Sequence, residues 1–358
     1  MKTFVKKQKC QIGLTLVELM IAMVISLVLL GGIHRVFVGS TTSYAVTDQL
    51  SRTQENGRFA MHVLRSDLLG AGFLGCLQDV SAYTNTLNNP SYFNFNFSQA
   101  IYGLEATGVN TWADDSGAVI PTSIVAGDMG LVTPVSGSDI LVIRGVDSNT
   151  TIEVTQKMPV QSADIKLTAG LSPLINTSGG DILLITDCEG ASVFQTTNYT
   201  DASGNTVHNT GVGTPGNATK ELGHAYDVGS QILFPQTRTY YIRNNVAGEP
   251  ALYEKIDSAA AQELIEGIES MQIRYGEDTD ADRTADVYRT ATTVADWGDV
   301  VSVRVGLLVR SPQIIARAPL DTNQYDVDGD GINDFDPVDD RRLRLVMINT
   351  VGIRNRLR

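Results

Sequence analysis

Residues 14–33 read LTLVELMIAMVISLVLLGGI, twenty mostly apolar residues in a row. As a helix they reach roughly 30 Å, the thickness of a bilayer's hydrocarbon core. The residues before them, MKTFVKKQKCQIG, are short and polar, with Lys2, Lys6, Lys7 and Lys9 and no acid. Only His34 and Arg35 follow the span closely. That imbalance keeps the N-terminus in the cytoplasm and sends the rest of the chain across the membrane. An ordinary cleaved signal peptide needs a small-residue site after its apolar stretch. Here HRVFVGS follows, which supplies none. A lipoprotein signal would also place its cysteine after the span, whereas Cys10 precedes it. A plain signal anchor leaves Glu18 unexplained. A carboxylate within an apolar span costs about 2–3 kcal/mol even by insertion scales, so it is kept for a partner.

The run Gly13-Leu14-Thr15-Leu16-Val17-Glu18 resembles the type IV prepilin signal. The resemblance implies that a prepilin peptidase cuts after Gly13 and methylates the new amine of Leu14. It also implies that Glu18 attracts the N-terminal amine of a neighbouring subunit. Both charges are costly in lipid, and pairing offsets much of that cost. The first mature residue is Leu14 rather than the usual Phe, a departure the family tolerates. Arg35 stands where major pilins often carry a helix-bending Pro, which favours a minor over a major subunit.

Beyond the span, Val46, Leu50, Thr53, Gly57, Ala60, Leu64, Leu68 and Ala71 recur at steps of three and four. No Pro occurs before Pro90, so one helix from 14 to about 70 is expected, on the order of 85 Å long. Gly70, Gly72 and Gly75 end it. Within it, Gln54-Glu55-Asn56-Gly57-Arg58-Phe59-Ala60, followed by Asp67-Leu68 and Ala71 to Cys76, resembles the PilW group of minor pilins. Ser138 to Gly145, Val300 to Ser311 and the arginine-rich end Arg341 to Arg358 agree with it. That group is similar in turn to the J-type minor pseudopilins of type II secretion. The implied partners are the prepilin peptidase, other minor pilins, the major pilin, the inner membrane and a tip adhesin. The implied role is priming pilus growth and occupying the tip.

The rest of the chain alternates short apolar runs with Gly, Asn and Asp turns. Strands are expected at 139–144, 151–155, 181–186, 191–195, 231–243, 251–256, 268–275, 299–309 and 343–353. A short helix is expected at 258–268, capped by Asp257 or Ser258. Segments 81–125 and 196–225, rich in Asn, Thr, Ser and Gly, read as surface loops. The expected fold is α+β: a leader at 1–13, a membrane helix at 14–33, its periplasmic continuation at 34–75, and a β-rich body at 76–358. Of three cysteines Cys10 falls in the leader, so Cys76 and Cys188 read as one disulfide in an exported chain. Closing so long a loop contributes about 4–5 kcal/mol through the unfolded state.

The strongest signal outside the N-terminus is Asp326-Val327-Asp328-Gly329-Asp330-Gly331-Ile332-Asn333-Asp334-Phe335-Asp336. It matches the start of a D-x-D-x-D-G calcium loop, in which alternate carboxylates converge on a hard cation and a glycine permits the bend. Asp326, Asp328, Asp330 and Asp334 are the expected Ca2+ ligands, with the Ile332 carbonyl. Pro337 occupies the twelfth position of an EF-hand and cannot bind. Asp336, Asp339 or Asp340 would substitute, as in thrombospondin type 3-like repeats, which the loop also resembles. A poorer run, Glu277 to Asp282, alternates acids without the glycine. Gly211 to Gly216 matches G-x-G-x-x-G, but Pro215 interrupts it and no strand precedes it, so it reads as a loop. No spacing assembles a nucleophile, base and oxyanion set, and the chain reads as a structural subunit rather than an enzyme. The net charge of −13 repels phosphates and argues against nucleic acid as a partner. A secretion pseudopilin and a tip adhesin are the alternative readings.

Overall fold

A computed structural model of the protein describes residues 15–77, 82–121 and 129–355. The expected leader and the processing pair Gly13 and Leu14 lie outside these residues.

Helix α1 spans Leu16–Gly70, 55 residues without a proline. Its two halves meet different surroundings. Every residue from Leu16 to Phe37 is exposed. Further along, Gln49, Thr53, Gly57, Ala60, Leu64 and Leu68 are buried, at steps of three and four that keep one face on the body. The periodicity predicts Leu50 inward, yet Leu50 is 39% exposed and Gln49 takes its place. The Gln49 amide oxygen accepts the backbone N–H of Gln313 at 3.1 Å, a donor that an aliphatic side chain would leave unpaired. Past Ala71, Gly72 and Gly75 turn the chain at φ +69° and +77°, a region open to glycine at no steric cost.

Thirteen strands join into one branched sheet among the described residues. They are β1 (Tyr83–Asn85), β2 (Ile101–Gly108), β3 (Thr111–Ala113), β4 (Val119–Pro121), β5 (Ile140–Gln156), β6 (Ile165–Leu167), β7 (Ile182–Thr186), β8 (Ala191–Gln195), β9 (Asn198–Thr200), β10 (Asn205–Val207), β11 (Gln231–Asn244), β12 (Pro250–Ile256) and β13 (Gln262–Glu266). The main path runs β1-β8-β7-β11-β5-β2-β3-β4. A smaller sheet follows the order β15-β14-β16-β17, from β14 (Ile268–Glu277), β15 (Val287–Arg289), β16 (Val300–Arg310) and β17 (Arg344–Gly352). Pairing is antiparallel except for β1 with β8. The buried face of α1 lies against the smaller sheet, and one core cluster runs from Leu64 and Leu68 through Ile143 and Tyr240 to Val305 and Val351.

The helix expected at 258–268 is absent. Residues 262–266 form β13, with Leu252 opposite Ile265, and Gly267 at φ +87° leads directly into β14. Three consecutive alanines favour a helix locally, but pairing with β12 overrides that preference. Asp257 is not a cap there. Its carboxylate accepts the Thr237 N–H at 2.8 Å. The segments read as loops, 81–125 and 196–225, contain β1 to β4 and β9 to β10.

The motif Ser138 to Gly145 is a joint between the sheets and the helix. The Asp139 carboxylate accepts the Ala106 N–H in the larger sheet and the Ile273 N–H in the smaller one, both at 2.9 Å. Arg144 donates to the carbonyls of Phe93 and Gln99. Its own carbonyl accepts the Gly72 N–H just past the helix. Gly145 faces the Gly70 carbonyl so closely that a Cβ there would lie 2.9 Å from it. At the other end of the chain, Asn355 donates its side-chain amide to Ala71 O at 2.8 Å.

Gly57 marks the closest approach of α1 to the sheet, where an added side chain would meet Met347 and Val309. Overpacking at a well-filled contact costs about 1–3 kcal/mol. Gly57→Leu should therefore lower the free energy of unfolding by that amount in a urea titration, despite leucine's better helix propensity.

Candidate functional site

Glu18 lies in the first turn of α1, in the part of the helix that no described residue covers. It does not stand free. The Glu18 N–H donates to the Thr15 hydroxyl at 3.3 Å, and the Glu18 carboxylate accepts the Thr15 N–H at 3.0 Å and its hydroxyl at 2.9 Å. This reciprocal capping box satisfies two of the helix's otherwise orphaned donors. Thr15 was missed as a site residue, although the Thr-x-x-Glu spacing carries the signal. The carboxylate keeps further lone pairs, so capping leaves it able to accept from a second donor.

At the opposite end of the helix, Cys76 and Cys188 are joined, as expected for two cysteines in an exported chain. The bond ties the segment after the helix to the turn between β7 and β8. Beside it the Thr186 hydroxyl donates to Leu74 O at 2.7 Å.

The acidic loop sits on the smaller sheet. Val327 is fully buried, and its carbonyl lies so close to Gly306 of β16 that no side chain fits there. Asp326 accepts the backbone N–H groups of Gly329, Asp330 and Gly331. Asp334 accepts from Val327 at 3.0 Å, and Tyr325 pairs with Phe335 across the base. Asp326, Asp328 and Asp334 each present an oxygen within 4.8 Å of the others. Two other expected ligands do not join them. Asp330 pairs with Arg274, which also binds Asp328, and Asp336 accepts from Gln324. The Ile332 N–H donates to Asp330 at 2.7 Å. In the poorer acidic run, Asp278 and Asp280 converge with Asp286 from across the hairpin. Glu277 instead turns inward, 2% exposed, to Ala295 N and Arg289.

Next to the acidic loop the two sheets enclose a pair of carboxyls that sequence reasoning did not find. Burial pushes Glu105 up from 4.5 to about 7, against the Ala291 N–H and the charge of Arg274. Burial also raises Asp139 well above the usual carboxylate range, with Glu105 adding repulsion. Asp139 belongs to the Ser138 to Gly145 block, but nothing local marks either residue as a buried acid, because the strands that bury them come from distant parts of the chain.

The arginine-rich end has a structural use. The fully buried Arg344 side chain binds Glu269 at 2.6 Å, Asp340 at 2.9 Å and Asp321 at 3.1 Å. Arg310 and Arg342 share Glu249, and Arg310 reaches Glu269 as well. Burial alone would raise Asp321 and Asp340. Hydrogen bonds, from Tyr325 and Arg344 to Asp321 and from Arg344 to Asp340, hold both below the ordinary value of 3.8.

The profile described as Type IV Pilus-assembly protein W matches residues 239–355, and that described as Prokaryotic N-terminal methylation motif matches residues 8–33. The first match bears out the resemblance to PilW-type minor pilins, and the second the prepilin-type N-terminus. The blocks at 54–76 and 138–145 lie outside the matched ranges. No curated protein matches the chain. Among solved structures it is similar to a type IV-like pilin from Thermus thermophilus, at 11% identity and a TM-score of 0.32, over 87% of this chain and 98% of that one.

The buried carboxyls predict the pH dependence of stability. Glu105 holds its proton more tightly when folded, so stability falls as pH rises from 4.5 through about 7. The arginine-bound Asp321 and Asp340 act oppositely, and their contribution is lost only as pH drops below 3.8. Thermal melts should show the melting temperature declining from mildly acidic to neutral pH. Glu105→Gln should make that decline shallower, leaving the part due to the buried Asp139.

Proposed function

We propose that the chain is a minor subunit of a type IV pilus, anchored in the inner membrane by the first half of α1 with its body in the periplasm. The observation that carries this reading is the methylation motif at 8–33 running into a helix whose first half is bare and apolar and whose second half is packed. A prepilin peptidase cuts between Gly13 and Leu14, freeing the amine of Leu14. Glu18 then pairs with that amine on a neighbouring subunit and sets the axial register as subunits leave the lipid. The body joins other minor pilins and the major pilin, primes growth, and stays at the tip beside an adhesin. The Cys76–Cys188 bond is consistent with an oxidising compartment. A structural rather than catalytic role is supported by the motif residues being spent on joints: Asp139, Arg144 and Gly145 hold sheets and helix together. The same anchor would also serve a J-like pseudopilin, which genome neighbours distinguish.

The test is the mass of the N-terminal peptide of the extracted protein, from cells with and without the peptidase. A start at methylated Leu14 only with the peptidase is expected. A chain that keeps residues 1–13 in both strains removes the pilin reading. Glu18→Ala should abolish surface pili while leaving cleavage intact. Thr15→Ala, which removes the hydroxyl half of the cap and keeps the carboxylate, should retain them. Equal loss in both variants would assign Glu18 to capping rather than register.

We also propose that Asp326, Asp328 and Asp334, with the Ile332 carbonyl, hold a calcium ion. Three convergent carboxylates, and glycines at φ +77° and +93° in the turn, support this. The ion would cross-link the loop and compete with Arg274 for Asp328. Calcium at about 100 times its dissociation constant should add about 2.7 kcal/mol of stability. Asp326→Asn should remove that gain. Melts indifferent to calcium and to chelator would leave the loop as an acidic turn tied down by Arg274.

A further inference from the structure

Where α1 leaves its bare stretch, the segment 313–317 comes alongside it. Between them lies a cleft of about 520 Å³, lined by His34, Phe37 and Val38 on the helix and by Ile314, Ala316 and Arg317 opposite. His34 directly follows the apolar residues 14–33. The body therefore reaches down to the level at which the span ends. If lipid extends further, to the exposed Val36 and Phe37, the segment lies deeper still.

The turn is shaped for such a place. Ile315 points inward and is 5% exposed, while Ile314 and Leu320 point out at 58% and 54%. Its backbone is held firmly: Ile315 N donates to Arg341 O at 3.0 Å, Ala318 N to Ile315 O at 2.9 Å, and the Arg341 guanidinium to Ala316 O at 2.6 Å. Arg317 and Arg341 are exposed, as is Arg35 on the neighbouring helix. Of the nearby carboxylates Asp321 and Asp340 are bound to Arg344, and the exposed Asp339 is outnumbered by Arg35, Arg317 and Arg341. A chain of net charge −13 thus turns a basic, apolar-tipped surface toward the end of its own membrane span. Apolar side chains flanked by arginines are what the headgroup region of an anionic bilayer favours.

From this we infer that the turn 313–320 rests on the membrane beside α1, with Ile314 and Leu320 at the acyl boundary and Arg317 and Arg341 on anionic phospholipid headgroups. The inference builds on the anchoring reading above. It gives the body a second point of contact, which fixes its orientation on the bilayer before assembly.

A single reporter cysteine tests it. In the full chain carrying Cys10→Ser, Cys76 and Cys188 are bonded to each other, so Ile314→Cys offers one free thiol for an environment-sensitive fluorophore. Val160→Cys, at a position 55% exposed in the loop after β5, is the reference. In vesicles of phosphatidylethanolamine and phosphatidylglycerol, the label at 314 should brighten several-fold and be quenched by nitroxide-bearing lipid, and the label at 160 should do neither. Arg317→Glu, or phosphatidylcholine in place of phosphatidylglycerol, should weaken the quenching. A label at 314 as wet as that at 160, on chains that still float with the vesicles, overturns the inference and leaves the anchor standing. Chains that do not float overturn both. A label shielded only after pilin subunits are added assigns the surface to a protein contact and also overturns the inference.

Discussion

The structure depends on one helix that no single medium can satisfy. From Leu16 to Phe37 its side chains are mostly apolar and all uncovered, and in water that much apolar surface is strongly unfavourable. From Gln49 to Leu68 it turns a narrow face of small and aliphatic residues to a sheet. A bilayer meets the first requirement and a folded body the second. The helix backbone bonds only to itself, so it carries both halves without a break. The body is correspondingly built around one side of the helix, and its smaller sheet lies where the helix needs cover.

That cover has to be held in place, and polar contacts between distant segments do this. Asp139 receives an N–H from each sheet, Arg144 closes over the segment after the first short strand, and the disulfide fastens the chain just past the helix. Around Arg344 four acids and three arginines interlock at the edge of the smaller sheet. A buried ion pair adds little net stability over a well-packed apolar pair, but removing one partner is costly. Such a network resists substitution and defines one arrangement of the strands that contribute to it.

The parts governed by local periodicity were legible in the sequence. The helix was readable because small and apolar residues recur at three and four over a stretch without proline, and the cysteine pair because only two cysteines remain outside the leader. The central strands were readable from their apolar runs. Misreadings arose where tertiary partners decide. Ala259 to Ala261 look helical, yet β12 needs a neighbour. Gln49 is buried in place of Leu50 because Gln313 offers a donor. In the acidic loop the glycine spacing was readable, but the loss of Asp330 to Arg274 was not, since that arginine lies 56 residues away. Asp139 stands in the Ser138 to Gly145 block, but that it is a buried acid beside Glu105 shows only when β2, β5 and β14 are brought together.

The last described strand packs on the second half of α1. Met347 of β17 abuts Gly57, Val351 fills the core beneath the helix, and Asn355 binds the carbonyl of Ala71. In order of synthesis the helix is the first of the described elements, and β17, part of its cover, is the last. Until β17 is made, the part of the helix face that it covers stays unshielded. Synthesis order therefore acts as a clock on folding, and a nascent chain stalled before β17 keeps part of the helix's inward face bare instead of closing into a finished fold.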